Sequence, residues 1–259
     1  MQPGKIIFPA QYIQISLPAP HIPSFPLPYV QRMDSNNYSS KEEYLNDSRN
    51  FFHEVLFPIK KQFIMETRNI ASFFSRLHFE NYKNNQYPFS KLIVSCCRDK
   101  CSIGRIINVD GIAEVRILYD YTGFRNKNAI QKKHDALQII MNGLYVVANE
   151  FLLDTISFKN IESMIISCDY KNIWTWSSKW NKNRKYNASV YVDHDVDSVI
   201  IGMKIVDKSG TMIYNKKILT TKPDEWDYAP FLGKLFWQNN NEAVLLDKND
   251  KVVGKWSAE

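Results

Sequence analysis

Two alternating strands joined by a tight turn can be read in RIINVDGIAEVRILY, residues 105–119. Apolar and polar side chains alternate on both sides of Asp110-Gly111, and this dipeptide favours the positive φ angles of a two-residue hairpin turn. The pattern predicts an antiparallel β-hairpin. Helices are expected both before and after it.

The helical segments show capping residues and apolar stripes. Ser39-Ser40-Lys41-Glu42-Glu43 places serines before acidic residues, which is how a helix start satisfies its unpaired N–H groups. Apolar residues at helical spacing then run to Pro58 and again to Leu77, which predicts two helices or one helix kinked at Pro58. Residues 128–153 carry one apolar stripe and predict a further helix. Gly143 inside it costs about 1 kcal/mol relative to alanine, and so indicates a close packing contact.

From Phe158 onward the chain is predicted to consist mostly of strands with short polar connections. The predicted strands are residues 161–168, 186–192, 199–206, 212–219, 243–246 and 252–256. Short connections such as Lys208-Ser209-Gly210 favour antiparallel neighbours over helical crossovers. A short helix is predicted at residues 224–232 behind Pro223. The aromatic group from Trp226 to Trp237 is expected to plug the end of the sheet.

Residues 1–38 contain seven of the chain's 11 prolines. Each proline removes a backbone donor and favours extended geometry in its predecessor, so this segment is predicted to be an extended arm. Its apolar content is high for a linker, and we expect it to pack along the body or across a partner subunit. Residues 39–259 are predicted to form a single α+β domain, with a possible sub-boundary near 155–160. Its helical segments are expected to pack on a largely antiparallel β-sheet.

The composition is that of an ordinary globular protein, with 44% hydrophobic and 23% charged residues. A formal charge of +6 favours an acidic partner, whether nucleic acid, anionic lipid or acidic protein. No apolar run of about 18 residues predicts a membrane span, and no N-terminal stretch has the pattern of a secretion signal. The cysteines, Cys96, Cys97, Cys101 and Cys168, do not suit a disulfide framework. Reduced thiols in a cytoplasmic protein are therefore expected.

Rings and cations are interleaved in YKNIWTWSSKWNKNRKY, residues 170–186. Such a segment can anchor a protein partner through rigid aromatic side chains, or stack bases while its cations follow the phosphates. The alternative is structural, because Trp174 and Trp176 lie two residues apart and can face one core from the same strand. The predicted partner-binding residues are Trp174, Trp176, Lys179, Trp180, Lys182, Arg184, Lys185 and Tyr186.

Metal-binding and catalytic patterns are weak. Asp193-His194-Asp195-Val196-Asp197 offers oxygen and imidazole ligands, but it lies between two predicted strands, where the same residues suit a turn. Asp193, His194 and Asp195 are therefore weak metal candidates, and no cofactor is predicted.

The cysteines lack the paired spacing of a zinc site. Asp110 with Glu114-Val115-Arg116 imitates a metal-dependent nuclease motif, although its spacing is short and alternating charges also suit an exposed strand face. Nucleophile-elbow and phosphate-loop motifs do not occur.

These patterns favour a binding protein over an enzyme, since the common reaction classes leave local motifs that this sequence lacks. We expect a non-enzymatic protein-binding protein of the bacterial, cytoplasmic immunity or inhibitor type, which neutralises a partner toxin or enzyme by occluding its active site. The alternatives are a basic single-stranded nucleic-acid-binding protein and a metal-dependent enzyme with dispersed residues such as Glu114 and Asp195. The sequence leaves open the oligomeric state and any exchange of the arm between subunits.

Overall fold

The computed structural model describes residues 12–16, 39–51, 53–54, 57–82, 87–97 and 103–258. Their contacts fall into two compact units, divided between Tyr170 and Lys171. The α+β class expected from the sequence is confirmed. The single domain over residues 39–259, with its possible sub-boundary near 155–160, stays a prediction, because contacts alone do not show whether two units unfold together. Apart from Tyr12–Ser16, the predicted arm lies outside the described residues.

The N-terminal unit packs helices on a four-stranded sheet. Its elements are β1 (Tyr12–Ser16), α1 (Lys41–Phe51), α2 (Phe57–Tyr82), β2 (Lys91–Cys97), β3 (Ile106–Val109), β4 (Ile112–Leu118), a 3-10 turn (Tyr121–Asn126), α3 (Ala129–Phe151) and α4 (Ile156–Ser167). The strand order is β1-β2-β4-β3. β3 and β4 form the predicted hairpin, and Asp110 and Gly111 in its turn both have positive φ angles.

This sheet is mixed, with two parallel pairs. β2 runs parallel to both β1 and β4, so that Val94 lies opposite Ile15 on one side and Val115 on the other. A parallel pair needs a long crossover, and α1 and α2 lie between β1 and β2 in the chain. Antiparallel pairing is therefore confined here to β3 and β4, whereas the C-terminal unit is antiparallel throughout.

α1 begins at the capping residues predicted from the sequence, and the structure shows a further cap at α3. At α1, the Ser40 hydroxyl accepts a hydrogen bond from the Glu43 N–H at 3.1 Å. α1 ends at Phe51, and α2 begins at Phe57 with Pro58 in its first turn, where a missing N–H removes no intrahelical bond. Two helical elements, α1 and α2, are thus assigned on either side of residues 53–54. At α3, the side chains of Asn128 and Gln131 form a reciprocal capping box.

The core of the N-terminal unit lies between the sheet and the helices. Alternate residues of the two central strands are buried in it: Leu92, Val94 and Cys96 of β2, and Ala113, Val115 and Ile117 of β4. α3 approaches this face at Gly143, where an added Cβ atom would fall 2.6 Å from Val94 Cγ2. The close packing contact predicted at Gly143 is confirmed.

The prediction of a strand at residues 161–168 is wrong, because residues 161–167 belong to α4. Phe158, Ile161 and Ile165 are all buried, and their spacing of three and four residues is that of one helix face. The β-branched composition of this segment favours a strand locally. Burial of the helical stripe in the core outweighs that preference.

The C-terminal unit consists of two antiparallel sheets. Its elements are β5 (Asn172–Trp180), β6 (Tyr186–His194), β7 (Val199–Asp207), β8 (Met212–Thr221), α5 (Glu225–Tyr228), a 3-10 turn (Ala229–Phe231), β9 (Lys234–Asn239), β10 (Glu242–Leu246) and β11 (Val252–Ser257). β5-β6-β7-β8 form one meander and β9-β10-β11 another. The strands predicted from residue 186 onward and the helix behind Pro223 are confirmed. The predicted strands leave out β5 and β9. β9 lies in the aromatic group from Trp226 to Trp237.

The two sheets share one core as a β-sandwich. The four-stranded sheet contributes Ala188, Val190, Val192, Val199, Ile201, Met203 and Ile205, and the other sheet contributes Leu235, Ala243, Leu245 and Trp256. Because side chains alternate along a strand, the residues between these on the four-stranded sheet point away from the core. Four of the residues on that solvent face are exposed: Thr175, Ser178, Asn215 and Lys217. No helix in the described part of the chain is long and apolar enough to cross a membrane.

Candidate functional site

The predicted partner-binding residues lie on the β5–β6 hairpin, whose turn is held by Asn181. Asn181 is 2% exposed; its Oδ1 accepts a hydrogen bond from the Tyr186 N–H at 3.1 Å, and its Nδ2 donates to the Asn240 carbonyl at 2.7 Å. Arg184 has a φ of 55° and donates its backbone N–H to the Asn181 carbonyl at 3.0 Å. These bonds fix the turn from within, so the hairpin presents a defined surface.

Three of the predicted contact residues place their rings against the sandwich core. Trp174 lies edge-on to Tyr228 with ring centroids 6.4 Å apart, and Tyr186 lies edge-on to Trp256 at 5.4 Å. Trp176 packs against the same core from a β-bulge in β5. All three are half-buried, so their rings contribute to packing of the sandwich.

Trp180 has a different environment. It ends β5 on the solvent face and is 45% exposed. Strand pairing places it in one row with Asn187 of β6, Val206 of β7 and Met212 of β8. Met212 is also exposed. The row therefore displays an indole, a thioether and a valine across the full width of the sheet, with one amide between them.

Four exposed cations border this row. Lys182, Arg184 and Lys185 lie in the β5–β6 turn and Lys208 in the β7–β8 turn. Tyr186 pairs with Asp207, which puts both turns at the same end of the sheet. Across the described ranges, no carboxylate forms an ion pair with any of these cations. We call the surface formed by Trp180, Val206, Met212 and these four cations the hairpin end.

Lys179 and Asp207 flank the hairpin end and have structural contacts. The Lys179 carbonyl accepts a hydrogen bond from Trp237 Nε1 at 2.8 Å, which ties β5 to the other sheet. The Asp207 carboxylate accepts bonds from Ser209 and Thr211, both within the β7–β8 turn. These bonds lower the pKa of Asp207 below its usual range. Asp207 is therefore engaged within its own turn.

The weak metal candidates lie at the β6–β7 turn, at the other end of the sheet. His194 is 1% exposed, and its ring lies edge-on to Tyr228 at 5.8 Å. Asp195 shapes the turn, since its N–H donates to the Ser198 carbonyl at 2.8 Å and its Oδ1 accepts from the Val196 N–H at 2.7 Å. Asp193 lies half-buried in β6 and pairs with Ile173 and Ile200. No three or more His, Cys, Asp and Glu side chains are grouped to hold a metal ion in the portion of the chain that is described.

The nuclease-like residues of the N-terminal unit lie on one hairpin but in different environments. Asp110 is in the β3–β4 turn and is exposed. Glu114 lies within β4, where its carboxylate accepts a hydrogen bond from the Ser95 hydroxyl at 2.8 Å and lies 3.6 Å from Arg116 Nε. Glu114 thus has partners on its own sheet face.

The cysteines are separated by the fold. Cys96 and Cys97 are adjacent in β2, so their side chains point to opposite faces of the sheet, and both are buried. Burial raises the pKa of the Cys96 thiol well above its ordinary value. Cys168 is exposed just after α4. Cys101 lies outside the described residues.

Sequence reasoning misses a buried ion pair in the N-terminal unit. Lys132 Nζ lies 2.9 Å from Glu66 Oε1, and each side chain is 10% exposed. Phe124 lies under the ammonium group, with its ring centroid 5.9 Å from Lys132 Nζ, and Gln62 donates a further hydrogen bond to Glu66. The pair joins α2 to α3. No sequence signal identifies it, because the two residues are 66 positions apart.

A second polar contact lies at the carboxyl end of β4. The Asp135 carboxylate accepts hydrogen bonds from the Tyr119 hydroxyl and from Lys127 Nζ. Burial opposes ionisation of Asp135, but these bonds outweigh it and hold its pKa below the usual range. Burial and the bond to Asp135 raise the pKa of Tyr119. The arrangement fastens the β4–α3 connection, and each of its charged groups has a partner within the unit.

Comparison with protein-family models, with curated proteins and with solved structures finds no match for this chain. The hairpin end is the place in the described structure where several predicted contact residues are exposed together.

Proposed function

We propose that this chain is a non-enzymatic protein-binding protein that contacts its partner through the hairpin end. The observation that carries the proposal is the solvent-facing row of Trp180, Val206 and Met212, in which Trp180 and Met212 are exposed, with a rim of four cations. Protein interfaces commonly have an apolar centre and a polar rim, and tryptophan and arginine supply a large share of their binding energy. Trp180 would be the anchor and Arg184 its charged neighbour.

The rim indicates the chemistry of the partner. Lys182, Arg184, Lys185 and Lys208 are all cations, so a complementary surface is acidic. The hydrogen bonds of Asn181 fix the turn before binding, which reduces the conformational entropy lost on association. A preorganised basic surface of this kind suits occlusion of an acidic cleft. We favour a bacterial, cytoplasmic immunity or inhibitor-type protein that neutralises a toxin or enzyme in this way.

The experiment begins with co-purification of the tagged chain from cells that carry its native gene, and identification of the bound protein. The purified partner is then titrated with wild-type chain, Trp180→Ala and Trp226→Ala in a calorimeter. Trp226 is the matched control, since it is 73% exposed on α5 and does not belong to the hairpin end. Trp180→Ala should weaken binding at least about 10-fold, and Trp226→Ala should leave it unchanged.

Two results would contradict the proposal, one for the contact surface and one for the inhibitor role. Equal affinities for wild type and Trp180→Ala would exclude the hairpin end as the contact. A partner enzyme that keeps its full activity when saturated with the chain would exclude the inhibitor role, while leaving protein binding itself established.

A further inference from the structure

The ring of Tyr191 lies over a glycine on the solvent face of the four-stranded sheet. Tyr191 of β6 lies directly opposite Gly202 of β7. A Cβ atom added to Gly202 would fall 2.1 Å from Tyr191 Cζ and 2.3 Å from its hydroxyl oxygen. The phenol ring therefore covers the glycine backbone, where any side chain would displace it. Tyr191 is half-buried, so part of its ring stays accessible from solvent above β7.

Cations lie within reach of this ring. Lys217 of β8 belongs to the same cross-strand row as Tyr191 and Gly202, and Lys204 of β7 belongs to the next row. Neighbouring rows on one face are about 7 Å apart and neighbouring strands about 5 Å apart. The long side chains of both lysines can therefore reach a group placed over Tyr191 or next to it.

Many of the side chains near the ring are polar, although Ile173 and Ile200 lie on the same face. The paired residues around the ring carry hydroxyl and amide groups: Thr175, Ser178, Asn187, Ser189, Asn215 and Thr220. Within these four strands, which are described in full, Asp193 is the one acidic side chain of the face. Lys204, Lys217 and the cations of the hairpin end outnumber it, so the face favours an anion.

We propose that this face binds single-stranded nucleic acid, with one base stacked on Tyr191 and neighbouring phosphates on Lys204 and Lys217. An accessible aromatic ring can stack on any base, and cations beside it can contact the phosphates, which is how sequence-tolerant binding of single strands is built. The inference goes beyond the proposed protein contact. It depends on Tyr191, whereas the protein contact depends on Trp180, so either can fail without the other.

The test is fluorescence anisotropy of the full chain with two labelled 12-nucleotide probes, oligo-dT and a mixed-sequence RNA, over a range of salt concentrations. Tyr191→Phe keeps the ring and should bind like the wild type. Tyr191→Ala should bind at least about 10-fold more weakly. Replacing Lys204 and Lys217 together by alanine should reduce the slope of log affinity against log salt by about 1.4, from two lost phosphate contacts. Lys251→Ala, in the turn between β10 and β11, is the matched control and should change nothing.

Circular dichroism and thermal melting establish that each variant is folded. If Tyr191→Ala fails to fold, Lys204→Glu with Lys217→Glu replaces it, because both lysines point away from the core and charge reversal should abolish binding. No salt-dependent binding at low salt overturns the inference, as does equal binding by wild type and Tyr191→Ala. Duplex DNA bound as tightly as the single strand also overturns it, since stacking needs an unpaired base. If the oligonucleotides do not bind but a protein partner requires Tyr191, the face belongs to the protein contact.

Discussion

Two regions of the molecule combine charged and aromatic residues, and they use them in opposite ways. In the N-terminal unit, Lys132 and Glu66 are paired at 2.9 Å and almost enclosed. At the hairpin end, Lys182 and Arg184 are exposed beside a half-exposed Trp180. Burying a charge is costly unless it is paired, whereas a charge in water needs no partner. The same residue types therefore hold the fold together in one region and remain available for contact in the other.

The largest expected effect comes from breaking the buried pair. Glu66→Gln leaves the Lys132 ammonium group enclosed without its carboxylate. We expect the free energy of unfolding to fall by about 3–5 kcal/mol. Urea unfolding followed by the helical circular dichroism signal measures it.

The matched control for this change is Glu80→Gln. Glu80 forms an ion pair with Arg76 in the same helix, but its side chain is 51% exposed, so its loss should cost less than about 1 kcal/mol. The double variant Glu66→Leu with Lys132→Met should recover most of the lost stability, because no charge is then left unpaired. A Glu66→Gln variant as stable as Glu80→Gln would show that the buried pair does not stabilise the N-terminal unit more than an exposed pair does.

A pH titration tests another buried group of the N-terminal unit, His78. Burial lowers the pKa of His78 to about 4, and its Nε2 is hydrogen-bonded to the Tyr87 hydroxyl at 2.8 Å. The unfolded chain takes up a proton at a pKa of about 6.5, so it binds more protons than the folded chain between these values. Stability is thus fully present above about pH 6.5 and should fall by about 3 kcal/mol as the pH approaches 4.

His78→Gln isolates this contribution from the titration of other groups. Glutamine is neutral at every pH and can keep a hydrogen bond to Tyr87. Urea unfolding of both proteins over the same pH range should give a steeper loss of stability for the wild type. Parallel pH profiles would show that His78 is as accessible to protons in the folded chain as in the unfolded one.

Local features of the fold could be predicted from sequence, and long-range ones could not. The turn at Asp110-Gly111 and the capped helix start at Ser40 depend on a few adjacent residues, and both are found as expected. α4 was predicted to be a strand because its isoleucines favour β structure. Only the structure shows that its buried residues lie on one helix face. The parallel pairing of β2 depends on which distant strands meet, and no local pattern contains that information.

The candidate site shows the same limit. The sequence identifies the interleaved rings and cations of residues 170–186, but not which of them face the core. Trp176 and Trp180 are alike in sequence, yet a β-bulge in β5 puts one against the sandwich core and the other on the solvent face. Asn181 was indistinguishable from its neighbour Asn183, because its partner Asn240 lies 59 positions away. Tyr191 becomes notable only through Gly202, which belongs to another strand.

A smaller loss of stability is expected from Asn181→Ala. Asn181 is a buried, hydrogen-bonded residue that supports the exposed hairpin end. The change removes the bonds to the Tyr186 N–H and the Asn240 carbonyl. Unfolding should become easier by about 2 kcal/mol, since polar groups are left without partners. Urea unfolding followed by tryptophan fluorescence measures this. Asn183→Ala is the control, because Asn183 is exposed and accepts a single bond from the Lys185 N–H.

The smallest effect on stability should come from the triple change Lys182→Gln, Arg184→Gln and Lys185→Gln. It keeps side-chain length and removes charge, and because all three residues are exposed the free energy of unfolding should stay within about 0.5 kcal/mol of the wild type. Association with the acidic partner identified by co-purification should become slower and less sensitive to salt. Exposed charges act mainly on the rate of diffusional encounter. Stopped-flow mixing at several salt concentrations, together with urea unfolding, measures both. A loss of more than about 1 kcal/mol would mean that these cations support the fold as Lys132 does. The contrast between a paired interior and an available surface would then no longer hold.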